Sequence, residues 1–172
     1  LRVGHESVDL LSVAEKVVDM FEALAESKFI KLELIKGERV WAKADTRHMN
    51  QVVMNLVDNA IKFTDIGGRV ELEVRRDNDK QTAVLVVRDS GMGISAEELP
   101  HVFERFYRGK FARHQRQGTG LGLSICKSIV SVSGGRISVS SQLGEGTEFR
   151  VELLQAASPS PSGSQSPVPT TA

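Results

Sequence analysis

Between residues 47 and 64, Gln51, Asn55, Asn59 and Lys62 follow one another at steps of four, four and three, which puts them on one helical face. Solvated helix faces are usually built from Glu, Lys, Arg and Gln. Asparagine is a poorer helix former, because its amide competes for backbone hydrogen bonds. Two asparagines one turn apart therefore suggest amides with a partner, although a solvated face with chance asparagines gives the same pattern. An amide oxygen is a hard neutral ligand, suited to a Mg²⁺ ion that stays partly hydrated and is otherwise held by phosphates. Lys62, one turn from Asn59, would set a point charge on the same phosphates.

A second cluster, Asp89-Ser90-Gly91-Met92-Gly93, directly follows the apolar run at 83–87. An aspartate closing a core strand is costly unless something donates hydrogen bonds to it, and the exocyclic amino group of a purine would do so. The glycines would let a flat ring approach the backbone with no Cβ in the way. Gly91, Gly93 and Ala96 also match the dinucleotide fingerprint G-x-G-x-x-A. That match is rejected: Pro100 interrupts the helix it needs, and the preceding strand reads as half of a hairpin.

The third cluster, Gly118-Thr119-Gly120-Leu121-Gly122-Leu123-Ser124, runs straight into a helical pattern. Glycines ahead of a helix N-terminus expose free N–H groups and a positive dipole end, which suits a polyphosphate. A glycine-rich hinge accounts for the same residues, and the Gly-Lys-Ser/Thr ending of a Walker A loop is missing. Between the clusters lie Phe103-Glu104-Arg105-Phe106-Tyr107-Arg108, then Lys110, Arg113 and Arg116. The aromatics would pin one end of a loop whose cations face phosphates.

The elements that must position these residues alternate between helical and strand periods, as in one mixed α/β domain. Helices are expected over residues 8–27, 46–63 and 121–132, the first capped by Ser12 with Glu15 as its capping box. Strands are expected at 29–35, 40–44, 69–76, 82–87, 136–140 and 148–154, with 69–87 forming a hairpin around Asp77-Asn78-Asp79-Lys80. A short helix near 96–99 precedes a long basic loop at 101–117, a length that often marks a lid. Residues 1–155 form the domain in this reading, and the Ser/Pro-rich stretch 156–172 a disordered tail.

The 172 residues suffice for one core. Lysine plus arginine equal aspartate plus glutamate at 22 each, so no net charge draws the chain to nucleic acid or a membrane surface. No apolar run approaches the ~18–20 residues that span a bilayer. With neither a signal peptide nor an initiator methionine, the expectation is a fragment of a longer protein. Cys126, the single cysteine, sits among Leu123, Ile125 and Ile129 and reads as a small buried hydrophobe rather than a reactive thiol.

Taken together, the clusters resemble the four sequence boxes of sensor histidine kinases. Asn55-Leu56-Val57-Asp58-Asn59-Ala60-Ile61-Lys62-Phe63-Thr64 resembles the N box, residues 89–93 the G1 box, 103–108 the F box and 118–125 the G2 box. Their order and spacing match too, over nearly all of residues 8–154. The resemblance implies the Bergerat (GHKL-type) fold, a two-layer α/β (α+β) sandwich with helices on one face of a mixed sheet and ATP between. It further implies that Asn59 binds Mg²⁺, that Asn55 lies beside the triphosphate and that Lys62 contacts phosphate. Phe63 would pack near the adenine, and Asp89 would accept from its amino group, helped by Thr147 through water. Gly91 and Gly93 would shape the base pocket, and Arg108 would reach the phosphates from the lid. Gly118, Gly120 and Gly122 would form a phosphate-side hinge, with Thr119 and Leu121 binding in the same segment.

Hydrolytic members of the wider superfamily carry a glutamate at the position of Asn55, and an amide cannot serve as a general base. The resemblance therefore implies transfer of the γ-phosphoryl to a histidine on a dimerisation domain, for relay to a response regulator. Asn55, Lys62 and Arg108 would act as positioning groups. The acceptor histidine is expected outside this chain: His5-Glu6 lacks the Arg and Pro of the family's H box, and His48, His101 and His114 also lack the motif. The implied setting is the cytoplasmic part of a parent that can be membrane-anchored. An anti-sigma-type serine kinase, a hydrolase and a nucleotide-binding regulatory module stand as alternatives.

Overall fold

The computed structural model describes residues 6–109 and 118–159. Five strands form one mixed sheet in the order β2-β4-β5-β7-β6. They are β2 (Lys31–Gly37), β4 (Arg69–Asp77), β5 (Thr82–Asp89), β6 (Arg136–Gln142) and β7 (Gly146–Leu154). Only β2 and β4 run parallel; the other pairings are antiparallel. Two short strands, β1 (Ser7–Asp9) and β3 (Trp41–Lys43), pair as a separate antiparallel ribbon.

Alternation along the strands decides where the core lies. Val70, Leu72 and Val74, Ala83, Leu85 and Val87, and Phe149, Val151 and Leu153 share one face and are buried. Three helices join that core: α1 (Leu10–Ser27), α2 (Thr46–Lys62) and α3 (Gly122–Val132). Helix α2 is central, with Met49, Val52, Val53, Leu56 and Val57 fully buried. On the opposite face, Val84 and Val86 are also buried, amid charged pairs. There Arg75 meets Glu73 at 3.1 Å and Arg150 meets Glu152 at 3.0 Å. This is the two-layer sandwich that the resemblance implies.

Four details depart from the sequence reading. Val8 lies in β1 rather than in α1, because residues 7–9 pair with 41–43. Helix α1 is capped by Asp9, whose Oδ1 accepts from Leu11 N at 3.1 Å and Ser12 N at 3.3 Å. Ser12 therefore sits inside the first turn and does not cap. The short helix expected near 96–99 is a 3₁₀ turn over Leu99–His101, where Pro100 stands in the opening turn, a position that needs no N–H. The chain also stays engaged past residue 155, since Ala156 N donates to Trp41 O at 2.9 Å. The loop expected at 101–117 is described only through Gly109, and the cations Lys110, Arg113 and Arg116 lie outside the described residues, as does the tail from 160 onward.

Candidate nucleotide-binding site

The polar face of α2 opens onto a cavity of about 310 Å³, within the range of small-molecule sites. Asn55, Asn59 and Lys62 line it; Gln51, on the same face, does not. The buried stripe of α2 fixes their direction, since Leu56 and Ala60 must point into the core. Asn55 also touches α3, its Nδ2 lying 3.4 Å from Gly122 O. Lys62 Nζ sits 2.7 Å from Asp58 Oδ2, one turn back, and Asp58 too lines the cavity. Phe63, the C-cap of α2, turns toward the cavity rather than the core, and its carbonyl accepts from Met92 N at 3.3 Å. That bond ties the end of α2 to the loop after β5.

Asp89 ends β5 and is 9% exposed. Gly91 N donates to its Oδ1 at 2.8 Å. Burial raises the carboxyl pKa from 3.8 to about 6, while the N–H groups of Gly91 and Thr147 pull it down. A carboxylate that burial penalises this much favours any ligand that donates to its remaining oxygen lone pairs. Thr147 faces Asp89 across the β5–β7 pairing, and Ser141 Oγ stands 2.9 Å from Thr147 Oγ1. Both Asp89 and Thr147 line the cavity.

Gly93 has φ +73, and a Cβ there would overlap the Gln142 carbonyl, so the loop lies flat against the β6–β7 turn. Gly120 has φ +71, and its carbonyl accepts from Phe106 N at 2.9 Å, which joins the segments 103–108 and 118–125. Helix α3 begins at Gly122 without a side-chain cap, whereas aspartates cap α1 and α2. Its first-turn N–H groups lie beside the cavity wall formed by Gly120, Gly122 and Leu123. Phe103 packs edge-on against Phe149 at 6.1 Å between ring centroids, so the first F-box aromatic is an anchor. Phe106, by contrast, has its side chain 71% exposed.

All the residues expected at the site line this cavity except Gly91 and Leu121. Gly91 acts one step back, through its N–H to Asp89, and a Cβ there would strike the Phe63 carbonyl. Leu121 serves as the N-cap of α3, where its carbonyl accepts from Ile125 N and Ser124 Oγ. Arg108, Gly118 and Thr119 complete the expected set. The sequence reading missed Asp58, Met92, Ile94, Glu98 and Tyr107, and also Val102, Gly109, Leu123 and Phe149. Met92 and Ile94 were findable, as apolar side chains in a glycine loop with no periodic stripe to join. Phe149 and Leu123 carried no such signal, because an apolar residue on a strand or helix reads as core.

Of the four histidines, His48 faces Asp45 at 3.8 Å and His101 Nδ1 meets Glu104 at 2.8 Å. His5 and His114 lie outside the described residues. Cys126 is buried against Val52 O at 3.7 Å, and burial pushes its thiol up to about 11.

A cavity between the helices and one end of a mixed sheet, walled by amides, a buried aspartate and glycine loops, defines an ATP-binding two-layer sandwich. Residues 44–157 match the family described as "Histidine kinase-, DNA gyrase B-, and HSP90-like ATPase", and the chain belongs to that family of ATP-binding domains. Sensor protein SrrB of Staphylococcus aureus is 44% identical over 117 residues, which cover 67% of this chain and 20% of SrrB. The chain thus spans about a fifth of the curated relatives it matches. Among solved structures, the mycobacterial sensor histidine kinase MprB superposes with a TM-score of 0.76 at 31% identity, covering 87% of this chain and 98% of that one. Full-length ShkA in complex with AMPPNP superposes with a TM-score of 0.75 at 26% identity, over 92% of this chain and 32% of ShkA.

Proposed function

We propose that this chain is the catalytic ATP-binding domain of a two-component sensor histidine kinase, which binds Mg-ATP and passes the γ-phosphoryl to a histidine on a separate dimerisation domain. The observation that carries the reading is the convergence of the α2 amides, Asp89 and the uncapped start of α3 on one cavity. Its kinship with SrrB and MprB, and the ATP analogue bound by ShkA, support it.

The donor set fits Mg²⁺. Among the described residues, no group of three or more His, Cys, Asp or Glu side chains gathers to hold a metal alone. A site of that kind suits an ion that keeps waters and takes its other ligands from phosphates, with Asn59 offering a neutral amide oxygen. Bound there, Mg²⁺ would neutralise charge on the transferring phosphoryl group.

The chain's own groups then divide the work. Asp89 receives the adenine amino group in a site whose shape Phe63, Met92 and Gly93 set. Lys62, Arg108 and the first-turn N–H groups of α3 hold the phosphates. Asn55 clasps the start of α3 and offers no base to activate water, which favours transfer over hydrolysis. Phosphoryl transfer rests on positioning and charge neutralisation more than on covalent chemistry, and this site supplies both.

The remaining partner in this reading is a response regulator, with neither nucleic acid nor membrane in contact with the domain. No helix among the described residues is long and apolar enough to cross a membrane. The test is to mix the chain with a histidine-bearing dimerisation domain and γ-labelled ATP. Label is expected on the histidine domain and not on this chain. Free phosphate without a labelled histidine would favour a hydrolase instead.

A further inference from the structure

Asp58 belongs to no role assigned above, yet its carboxylate lines the cavity and holds Lys62 at 2.7 Å. We infer that Asp58 makes the site select metal-bound over metal-free nucleoside triphosphate, by engaging Lys62 and setting a negative charge beside the phosphates. The inference rests on the nucleotide reading above and deepens it.

Charge around the cavity is the first ground. Among the described residues lining it, the cations are Lys62 and Arg108 and the carboxylates are Asp58, Asp89 and Glu98. The described part of the wall, with more carboxylates than cations, is ill-suited to a bare polyanion, because like charges brought together in a partly buried site repel strongly. Two of the three carboxylates have other duties. Asp89 is buried and bound to Gly91 N. Glu98 is buried and meets Ser95 Oγ at 3.1 Å and Tyr107 OH at 3.4 Å. Asp58 is 39% exposed in its side chain and engages the cation expected to meet phosphate.

The pairing itself is the second ground. Asp58 and Lys62 stand one helical turn apart, on either side of Asn59 in sequence. A half-exposed pair of this kind is weak, so Lys62 exchanges partners readily when phosphate arrives. With metal-free triphosphate, that exchange leaves the Asp58 carboxylate unpaired and facing another anion. A divalent cation accompanying the phosphates removes the repulsion. The cost therefore falls on the metal-free ligand.

Asp58→Asn removes the charge and keeps the shape. ATP binding to the wild-type chain and the variant is measured calorimetrically, once in Mg²⁺ and once in EDTA, with adenosine as a phosphate-free probe. The ratio of the two dissociation constants, EDTA over Mg²⁺, is expected to shrink on the order of fivefold in the variant, which is about 1 kcal/mol. Adenosine binding should not follow that change. Asp58→Ser, which also lacks the charge, should shift the ratio the same way. A ratio unchanged in both variants while the wild type binds ATP would overturn this inference alone. A wild-type chain that binds ATP in neither buffer would overturn the nucleotide reading along with it.

Discussion

At Asp89, burial and two backbone N–H groups act in opposite directions on one carboxyl, and burial dominates. Its folded pKa of about 6 lies above the unfolded 3.8, so the folded state holds the proton more tightly. This group's effect on stability is thus most favourable below pH ~4 and is lost as pH rises through ~6. The ionised carboxylate then costs the nucleotide-free domain up to roughly 3 kcal/mol. Asp89→Asn should therefore raise the unfolding free energy by about 1–2 kcal/mol near pH 7.5 and change it little near pH 4. Urea unfolding at the two pH values checks this, and an equal change at both would place the cost elsewhere. The need of Asp89 for hydrogen-bond donors was legible in the sequence, because an acid ending an apolar strand is costly without them, and Gly91 N is one such donor. Cys126 was legible for a different reason, with Leu123, Ile125 and Ile129 near it in sequence marking a buried position. Asp58 and Glu98 were not legible. An acid on a helix or in a Glu-Glu pair reads as solvated, and only the fold brings these two to a cavity.

At the scale of elements, a glycine of the loop after β5 and one at the start of α3 separate folding from binding. A Cβ on Gly93 would meet the Gln142 carbonyl at positive φ, whereas a Cβ on Gly122 would find its nearest neighbour, Asn55 Cγ, at 3.8 Å. Gly93→Ala should destabilise the domain by about 1–3 kcal/mol. Gly122→Ala should leave stability unchanged or raise it by a few tenths of a kcal/mol, roughly what a better helix former adds at a helix start. If phosphate approaches the N-terminus of α3, Gly122→Ala should still weaken ATP binding, by about tenfold or about 1.4 kcal/mol. Thermal melts and nucleotide titrations on both variants separate the two effects. Unchanged ATP affinity in Gly122→Ala would mean that phosphate does not come close to this residue. The helices and the central hairpin were legible from period and turn chemistry, and the start of α1 was not. Ser12 and Glu15 carry the sequence signature of a capping box, but the pairing of β1 with β3 ends at Asp9 and makes that aspartate the cap. Local pattern pointed to Ser12, and tertiary pairing moved the cap to Asp9.

Over the whole molecule, sheet order and the charged outer face were illegible from sequence, because neither follows from any one segment. The order β2-β4-β5-β7-β6 places the loops after β5 and before β7 side by side, so that Asp89 and Thr147 meet. On the outer face, Arg88 bridges to Glu148 at 2.6 Å and Lys80 to Glu152 at 3.3 Å, so charge is matched across strands that lie far apart in sequence. Val84 in the middle of that face is fully buried, and a change to Asp would bury a carboxylate among these pairs. Val84→Asp should cost about 3 kcal/mol or more, read as a lowered urea midpoint. In the proposed reading, nucleotide recognition falls to the cavity at the sheet end, where Asn59 and Asp89 both line the wall. The most direct test of that claim is a titration of the chain with ATP, with and without Mg²⁺, beside Asn59→Ala and Asp89→Ala. Binding is expected to be strengthened by Mg²⁺ and weakened by each substitution by about tenfold or more. Wild-type binding that both substitutions leave intact, or no binding by the wild-type chain at all, would contradict the claim.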